Sequence, residues 1–187
     1  KVELHLHLEG AIPIPALWEI VQKYGGDPLI PDEAALRKYF KFRDFPHFIE
    51  LWIWKNSFLR EYDDFEFFSA AVARALKTEN IKYIEAFFSP SRFKQGGLNT
   101  GRMIEAVRAG PDSVTGVEVA LIPDLVRDVG PDYASGVLDE LSELRSLGLI
   151  GIGLGGSEHA YPPELFTDLY SRARNSGFHT TAHAGEA

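Results

Sequence analysis

With 187 residues, of which 45% are hydrophobic and 25% charged, the chain has the composition of a globular protein and the length of one domain or of part of a larger one. Its formal net charge of −8 argues against a nucleic-acid backbone as the main partner, and no run approaches the roughly 18 unbroken apolar residues of a membrane helix. Cysteine is absent, which excludes disulfide frameworks, thiol nucleophiles and zinc sites with Cys ligands, and we expect a cytoplasmic protein.

Strand and helix patterns alternate along the chain. Strands are predicted at residues 2–8, 81–88, 117–123, 149–155 and 178–184. Several of them are nearly continuous apolar runs, which is typical of parallel strands covered on both faces. Helical spacing of apolar residues precedes each later strand, and the clearest helices begin near Pro15 and Pro162 and end at Gly25 and Gly177. Residues 9–80 form a longer helical insertion that is rich in Phe and Trp.

The order strand, helix, strand indicates a parallel α/β sheet built from βαβ units. An eight-stranded (β/α)8 barrel, the TIM barrel, needs about 250 residues. We therefore expect residues 1–187 to form a single barrel domain that is truncated at its carboxyl-terminal side. This segment would supply about the first five strands and the helical insertion after strand 1.

The opening stretch VELHLHLEG sets two kinds of side chain on opposite faces of a strand. Alternation places Leu4 with the other leucines on an apolar core face, and His5, His7 and Glu9 on the opposite face. The two histidine Cα atoms would lie roughly 6.6 Å apart, so both imidazoles can reach one metal ion. The alternative is a pair of exposed or hydrogen-bonded histidines.

The final stretch HTTAHAGEA adds a third histidine at the end of the fifth strand. Catalytic groups of parallel barrels gather at the carboxyl ends of the strands, so His183 can meet the histidines of strand 1. Three His ligands with an open position for water form a catalytic zinc arrangement, and Glu186 would stand beside it as acid or base. His179 would lie roughly 13 Å deeper and is expected to be a core or barrel-bottom residue.

Three further features each allow two interpretations. The paired glycines in GIGLGGSE, Gly155 and Gly156, permit either close approach to a ligand or a tight turn. The aromatic run FPHFIELWIWKNSF either walls a pocket or packs within the insertion, which also holds His47. His159 follows the glycines and is either a substrate contact or a loop residue.

Together, HLHLEGA, GIGLGGSE and HTTAHAGE closely resemble motifs of the adenosine deaminase family of metal-dependent purine aminohydrolases. The likeness extends over the whole sequence, in the order found in the family. It implies a zinc-bearing (β/α)8 barrel in which a zinc-activated water replaces the 6-amino group of a purine and releases ammonia.

The resemblance also implies a role for each matching residue. His5, His7 and His183 match the zinc ligands, and Glu186 matches the glutamate that donates a proton to the purine ring nitrogen. Glu9 stands where the family has an acidic residue near the sugar, Gly156 where a backbone amide meets the purine, and His7 is also expected to contact substrate. A further histidine and an aspartate of the family site would lie beyond Ala187.

The substrate is expected to be a small-molecule purine, with adenosine or a close nucleoside favoured. Adenosine-specific members typically carry an arginine where this chain places Phe87, so adenine and 6-aminodeoxyfutalosine stay open as substrates. A non-catalytic barrel that binds nucleosides or a protein partner is the alternative of another class. The sequence predicts no oligomeric state.

Overall fold

The computed structural model describes residues 1–185, which form one five-stranded parallel sheet with helices between its strands. The strands pair in the order β1-β2-β3-β4-β5, so each is a neighbour of the strand next to it in the chain. Their bounds are β1 Val2–His7, β2 Tyr83–Phe88, β3 Glu118–Val126, β4 Gly151–Gly155 and β5 His179–Thr180. This parallel arrangement confirms the predicted α/β class and gives a partial (β/α)8 barrel.

Eight α-helices are found in the described residues. They are α1 Ile14–Lys23, α2 Glu33–Tyr39, α3 Phe45–Asn56, α4 Tyr62–Thr78, α5 Pro90–Gln95, α6 Thr100–Asp112, α7 Pro131–Glu143 and α8 Thr167–Asn175. The first four form the predicted insertion between β1 and β2. Within residues 1–185, none of the helices combines the length and apolar character that crossing a membrane requires.

The two faces of the sheet differ in chemistry because side chains alternate along each strand. On the helix-covered face, buried apolar residues form the core with the helices; in the three central strands they are Ile84, Ala86, Phe88, Val119, Leu121, Leu125, Ile152 and Leu154. The opposite face carries the intervening residues, which include Phe87, Asp124 and the glycines of β4. The strand period therefore separates the apolar core from the face that bears the polar side chains.

Two predictions for β1 are wrong in detail. Leu4 is 58% exposed, whereas Leu8 is 2% exposed and belongs to the core. β1 is an edge strand, and the described helices do not cover its outer face around Leu4. The strand also ends at His7, because Ala11 turns back and donates its backbone N–H to the His7 carbonyl at 3.0 Å. Glu9 therefore does not continue the face of the two histidines.

The strand predictions also differ from the structure at two other carboxyl ends. β3 continues past the predicted end at residue 123 to Val126, and β5 pairs only over His179–Thr180 rather than residues 178–184. Beyond β5 the chain stays close to β4, since the backbone N–H of His183 donates to the Leu154 carbonyl at 2.9 Å. The longer β3 and the segment after β5 both place polar side chains at the carboxyl-terminal edge of the sheet.

Candidate metal and active site

The candidate site is a cavity of about 590 Å³ at the carboxyl ends of the strands. Its walls come from β1, the segment after β5, helix α3, the end of β3 and the loop after β4. This volume lies within the range of small-molecule sites, roughly 300–1,000 Å³. The position is the one at which barrels of this class gather their catalytic groups.

Three histidines converge on one point of the cavity wall. The Nε2 atoms of His5 and His7 lie 3.3 Å apart, and that of His183 is 3.2 Å from the first and 2.9 Å from the second. These are the predicted metal ligands, and the structure brings all three together. His183 reaches the group from the far side of the sheet because the strand-five segment runs beside β4.

The donor set fits a zinc ion. Two nitrogens bound to zinc at about 2.0–2.1 Å with tetrahedral angles would lie about 3.3 Å apart, close to the observed separations. Three imidazole nitrogens that face one another cannot each direct a lone pair at an N–H of the group, whereas one cation satisfies all of them. The three histidines thus have both the chemistry and the spacing of a metal-binding group.

The surroundings of His7 favour neutral imidazole, the form that binds metal. Burial, together with the neighbouring His183 and His5 and the nearby Lys55, lowers the pKa of His7 to about 4. His7 is therefore uncharged at neutral pH and has no proton to lose before it can bind a cation.

Phe87 forms the floor beneath the histidines. Its ring stacks on His5 with 4.4 Å between ring centroids and on His7 with 5.2 Å, and the side chain is only 3% exposed. The parallel register sets His7 directly beside Phe87, which fixes this contact. At the position where the resemblance led us to look for a substrate-selecting arginine, the chain has an apolar support for two histidines.

Helix α3 supplies the apolar roof of the cavity. Phe45, Phe48, Ile49 and Trp52 all line the cavity, and the Trp52 ring meets His7 edge-on with centroids 6.0 Å apart. The other half of the aromatic run, which includes Trp54, packs against α2 and Phe58. Both interpretations of this run are therefore correct, each for one face of the helix. His47 lies outside the cavity lining, and its Nδ1 accepts the backbone N–H of Arg43.

Glu9 lies beneath the site and is not part of the cavity lining. Its side chain is fully buried, and its Oε1 accepts the backbone N–H of Ser89 at 2.9 Å. Lys55 of α3 donates to the Glu9 backbone carbonyl and lies over the Trp52 ring, 3.8 Å from the centroid. Burial raises the pKa of the Glu9 carboxyl and lowers that of Lys55 to about 7. This pair joins the roof helix to the end of β1.

The end of β3 carries polar residues that sequence analysis missed. The buried guanidinium of Arg127, 1% exposed, donates to the carbonyls of Tyr161 and His183, both at 2.9 Å. Asp128 accepts the backbone N–H of Ser157 at 3.0 Å and so holds the loop after β4. The pattern DxxRD at the predicted strand end was the available signal, because polar residues at a parallel strand end point to a site.

The paired glycines make room for these β3 side chains. Gly156 has φ +101°, a backbone conformation that favours glycine, and a Cβ there would collide with the Asp128 carboxylate. A Cβ on Gly155 would lie 2.6 Å from Asp124 Oδ2. The positive φ of Gly156 agrees with the turn interpretation, and the space at both glycines is taken by acidic side chains at the end of β3. Both glycines line the cavity, and close approach to a ligand stays a prediction.

The remaining predicted residues lie apart from the three histidines or outside the described residues. His179 is exposed at the start of β5, so of the two predicted positions the core is wrong, and the barrel-bottom end of the strand is where the residue lies. His159 is exposed and does not line the cavity. Glu186, the predicted proton donor, lies outside the described residues; just before it, Gly185 donates its N–H to the Glu158 carboxylate at 2.8 Å.

Comparison with known proteins agrees with this fold and identifies the family. The family model described as "Adenosine deaminase" matches residues 1–187. An adenine deaminase from Chlorobium phaeobacteroides is 33% identical over 191 residues, which cover 100% of this chain and 56% of that protein. The crystal structure of an adenine deaminase from Arthrobacter aurescens has 28% identity and a TM-score of 0.88 over 99% of this chain and 57% of that chain.

A second solved structure carries a metal. An amidohydrolase from Burkholderia ambifaria with bound Zn matches 100% of this chain and 52% of its own, with 28% identity and a TM-score of 0.88. The chain thus spans little more than half the length of each of these relatives. Because the family model matches its whole length, the chain belongs to the adenosine deaminase family.

Proposed function

We propose that this protein is a zinc-dependent hydrolase that removes the 6-amino group of a purine, with free adenine as its substrate. The observation that carries the proposal is the convergence of three Nε2 atoms within 3.3 Å of one another on the wall of a cavity. We further propose one zinc per site, held by these three histidines together with residues beyond Ala187. Residues 1–187 would then be part of a single barrel domain that further strands complete.

The surrounding residues support this chemistry. A bound zinc would supply a water of lowered pKa as the nucleophile. The aromatic roof of α3 suits the flat faces of a purine, and Phe87 keeps the two histidines of β1 in place. We assign Glu186 as the proton donor to the ring nitrogen, the Gly156 amide as a contact to the base, and His7 as a contact to both metal and substrate.

Two observations favour the free base over adenosine, which the sequence resemblance favoured. The relative from Chlorobium phaeobacteroides and the solved structure from Arthrobacter aurescens are both named adenine deaminase. Glu9, expected beside the sugar, is fully buried and accepts the Ser89 N–H below the cavity, where a ribose cannot reach it. A site without that carboxylate has one polar contact fewer for a nucleoside.

The experiment compares substrates on the protein at its full natural length. Zinc-loaded enzyme is incubated with adenine, adenosine or 6-aminodeoxyfutalosine, and ammonia release and the ultraviolet change from 6-amino to 6-oxo purine are followed. We expect the highest kcat/KM for adenine, loss of turnover after chelation, and loss of turnover in Glu186→Gln. Faster turnover of adenosine would overturn the choice of substrate. A protein that binds no zinc and turns over none of the three purines would instead support the non-catalytic binding barrel.

A further inference from the structure

We infer that Asp124, at the end of β3, is a positioning residue for His183: its carboxylate accepts the Nδ1–H of that imidazole and so directs Nε2 toward the metal. The inference rests on the proposed zinc site. It adds an outer-sphere residue from a strand to which no metal or substrate role has been assigned.

The second ring nitrogen of His183 needs a partner. Its Nδ1 is buried and has no hydrogen-bond acceptor among residues 1–185. A histidine that binds metal through Nε2 carries its proton on Nδ1, and that N–H is nearly always held by a carboxylate, a carbonyl or water. A buried N–H left without an acceptor would cost about 1–3 kcal/mol.

The Asp124 carboxylate lies next to this nitrogen. Asp124 Oδ2 and His183 Nδ1 lie 2.6 Å and 3.4 Å from the same point, the position that a Cβ on Gly155 would occupy. The Asp124 side chain is 3% exposed and lines the same cavity as His183. In the metal-bound protein the inferred hydrogen bond would form by rotation of these two side chains toward each other.

The glycines of β4 keep this space open. A Cβ on Gly153 would lie 2.5 Å from Asp124 Oδ1, and one on Gly155 would lie close to both Asp124 Oδ2 and His183 Nδ1. The register pairs Asp124 with Gly153 across the ladder, so the carboxylate crosses β4 over a strand without side chains on that face. The GxGxG pattern of β4 thus leaves space for a carboxylate from β3 to approach the histidine that follows β5.

Arg127 supports the same geometry from the main chain. Its guanidinium donates to the His183 carbonyl at 2.9 Å, which fixes the backbone from which the imidazole extends. The end of β3 would therefore hold His183 at two points: Arg127 sets the backbone and Asp124 sets the ring.

The test measures zinc affinity rather than turnover. Metal-free wild-type, Asp124→Asn and Asp124→Ala proteins, at full natural length, are titrated with Zn²⁺ against a chromophoric chelator. Loss of an outer-sphere partner of a ligating histidine typically costs 10–100-fold in metal affinity, and we expect a loss in that range for Asp124→Ala and a smaller one for Asp124→Asn. In zinc-loaded protein with 15N-labelled histidine, the Nδ1–H signal of His183 should be protected from solvent exchange only in the wild type.

Asp128→Asn is the matched control. It removes the same charge from the same strand end and the same cavity, but its carboxylate holds the Ser157 N–H. We expect its zinc affinity to stay within about threefold of the wild type. Unchanged affinity in both Asp124 variants would overturn the inference, as would an equal loss in Asp128→Asn. Failure of the wild type to bind zinc would instead refute the proposed function.

Discussion

The cavity has two walls that do different work. The histidine wall, formed by β1 and the segment after β5, presents ring nitrogens to the cavity. In the β3 wall, at the end of β3, the side chains of Arg127 and Asp128 form hydrogen bonds with backbone groups. The three Nε2 atoms converge on one point, while the Arg127 guanidinium is buried and donates to two carbonyls of other segments. The groups that would bind a metal and the groups that fix the binding geometry thus lie on different strands of the sheet, and we expect them to fail in different ways when changed.

Removal of a ligand from the histidine wall should give the largest effect. We expect His183→Ala to lose zinc binding and to lower kcat by on the order of 10³-fold or more, because the activated water depends on the metal. Thermal stability of the metal-free protein should change little, since the substitution relieves the crowding of three Nε2 atoms within 3.3 Å. Metal titration, turnover and thermal melting of the same preparation check these outcomes.

His179→Ala is the matched control for this change. It removes an imidazole from the same segment, four residues earlier, where the side chain is exposed and is not part of the metal-binding group. Zinc affinity should match that of the wild type. Equal loss in both variants would mean that the segment, and not the ligand, determines binding.

The histidine wall could be read from the sequence because its signal is local. The spacing of His5 and His7 on one strand and the position of His183 at a later strand end are visible without knowledge of packing. Glu9 was misplaced because alternation was extended past His7, where a backbone hydrogen bond from Ala11 ends the strand. Local periodicity contains no information on where such a turn begins.

The DxxRD pattern marks where the β3 wall lies, but the contacts that its side chains make could not be predicted, for a different reason. The predicted strand ends at Pro123, and no role is predicted for Asp124 or Arg127. In the structure, β3 continues to Val126 beside β4, and Arg127 follows directly. The roles of Asp124 and Arg127 depend on the space over Gly155 and on the carbonyl of His183, groups 31 and more residues away in the chain. Such contacts arise from the register between strands, which a single sequence does not specify.

Disruption of the β3 wall should reduce stability as well as binding. Arg127→Met leaves the carbonyls of Tyr161 and His183 without their buried donor, so we expect the free energy of unfolding to fall by roughly 2–4 kcal/mol. Zinc affinity should fall too, because the His183 backbone is released. Urea denaturation of the metal-free protein, followed by zinc titration at low urea, separates the two effects.

An exposed arginine provides the comparison. Arg172 pairs with Asp139 on the surface, with side chains 46% and 67% exposed. Arg172→Met should change the free energy of unfolding by at most about 1 kcal/mol and leave zinc affinity unchanged. Equal losses in the two variants would show that the Arg127 contacts do not link β3 to His183.

The smallest predicted effect tests whether the histidine side also contains a buried positioning group. Lys55 of α3 binds the Glu9 carbonyl, two residues after His7, and burial lowers its pKa to about 7 from 10.5. Above pH 7 the folded protein loses this proton, whereas the unfolded chain keeps it until about pH 10.5. The unfolded state then binds more protons, so the free energy of unfolding rises with pH across this window. Relative to Lys55→Met, the wild type should gain on the order of 1–2 kcal/mol between pH 7 and 8.5.

Lys23→Met is the control with the opposite electrostatics. Hydrogen bonds to Asp64 and Glu61 raise the pKa of Lys23, so both states keep its proton throughout pH 7 to 8.5 and its contribution stays constant. The difference between wild type and Lys23→Met should therefore be flat where the difference for Lys55→Met rises. The free energies of unfolding are measured by urea denaturation at four pH values. If the difference from wild type depended on pH in the same way for both variants, Lys55 would be charged and solvated in the folded protein. The roof helix would then lack its buried anchor to β1, and the division between a binding wall and a positioning wall would hold without exception.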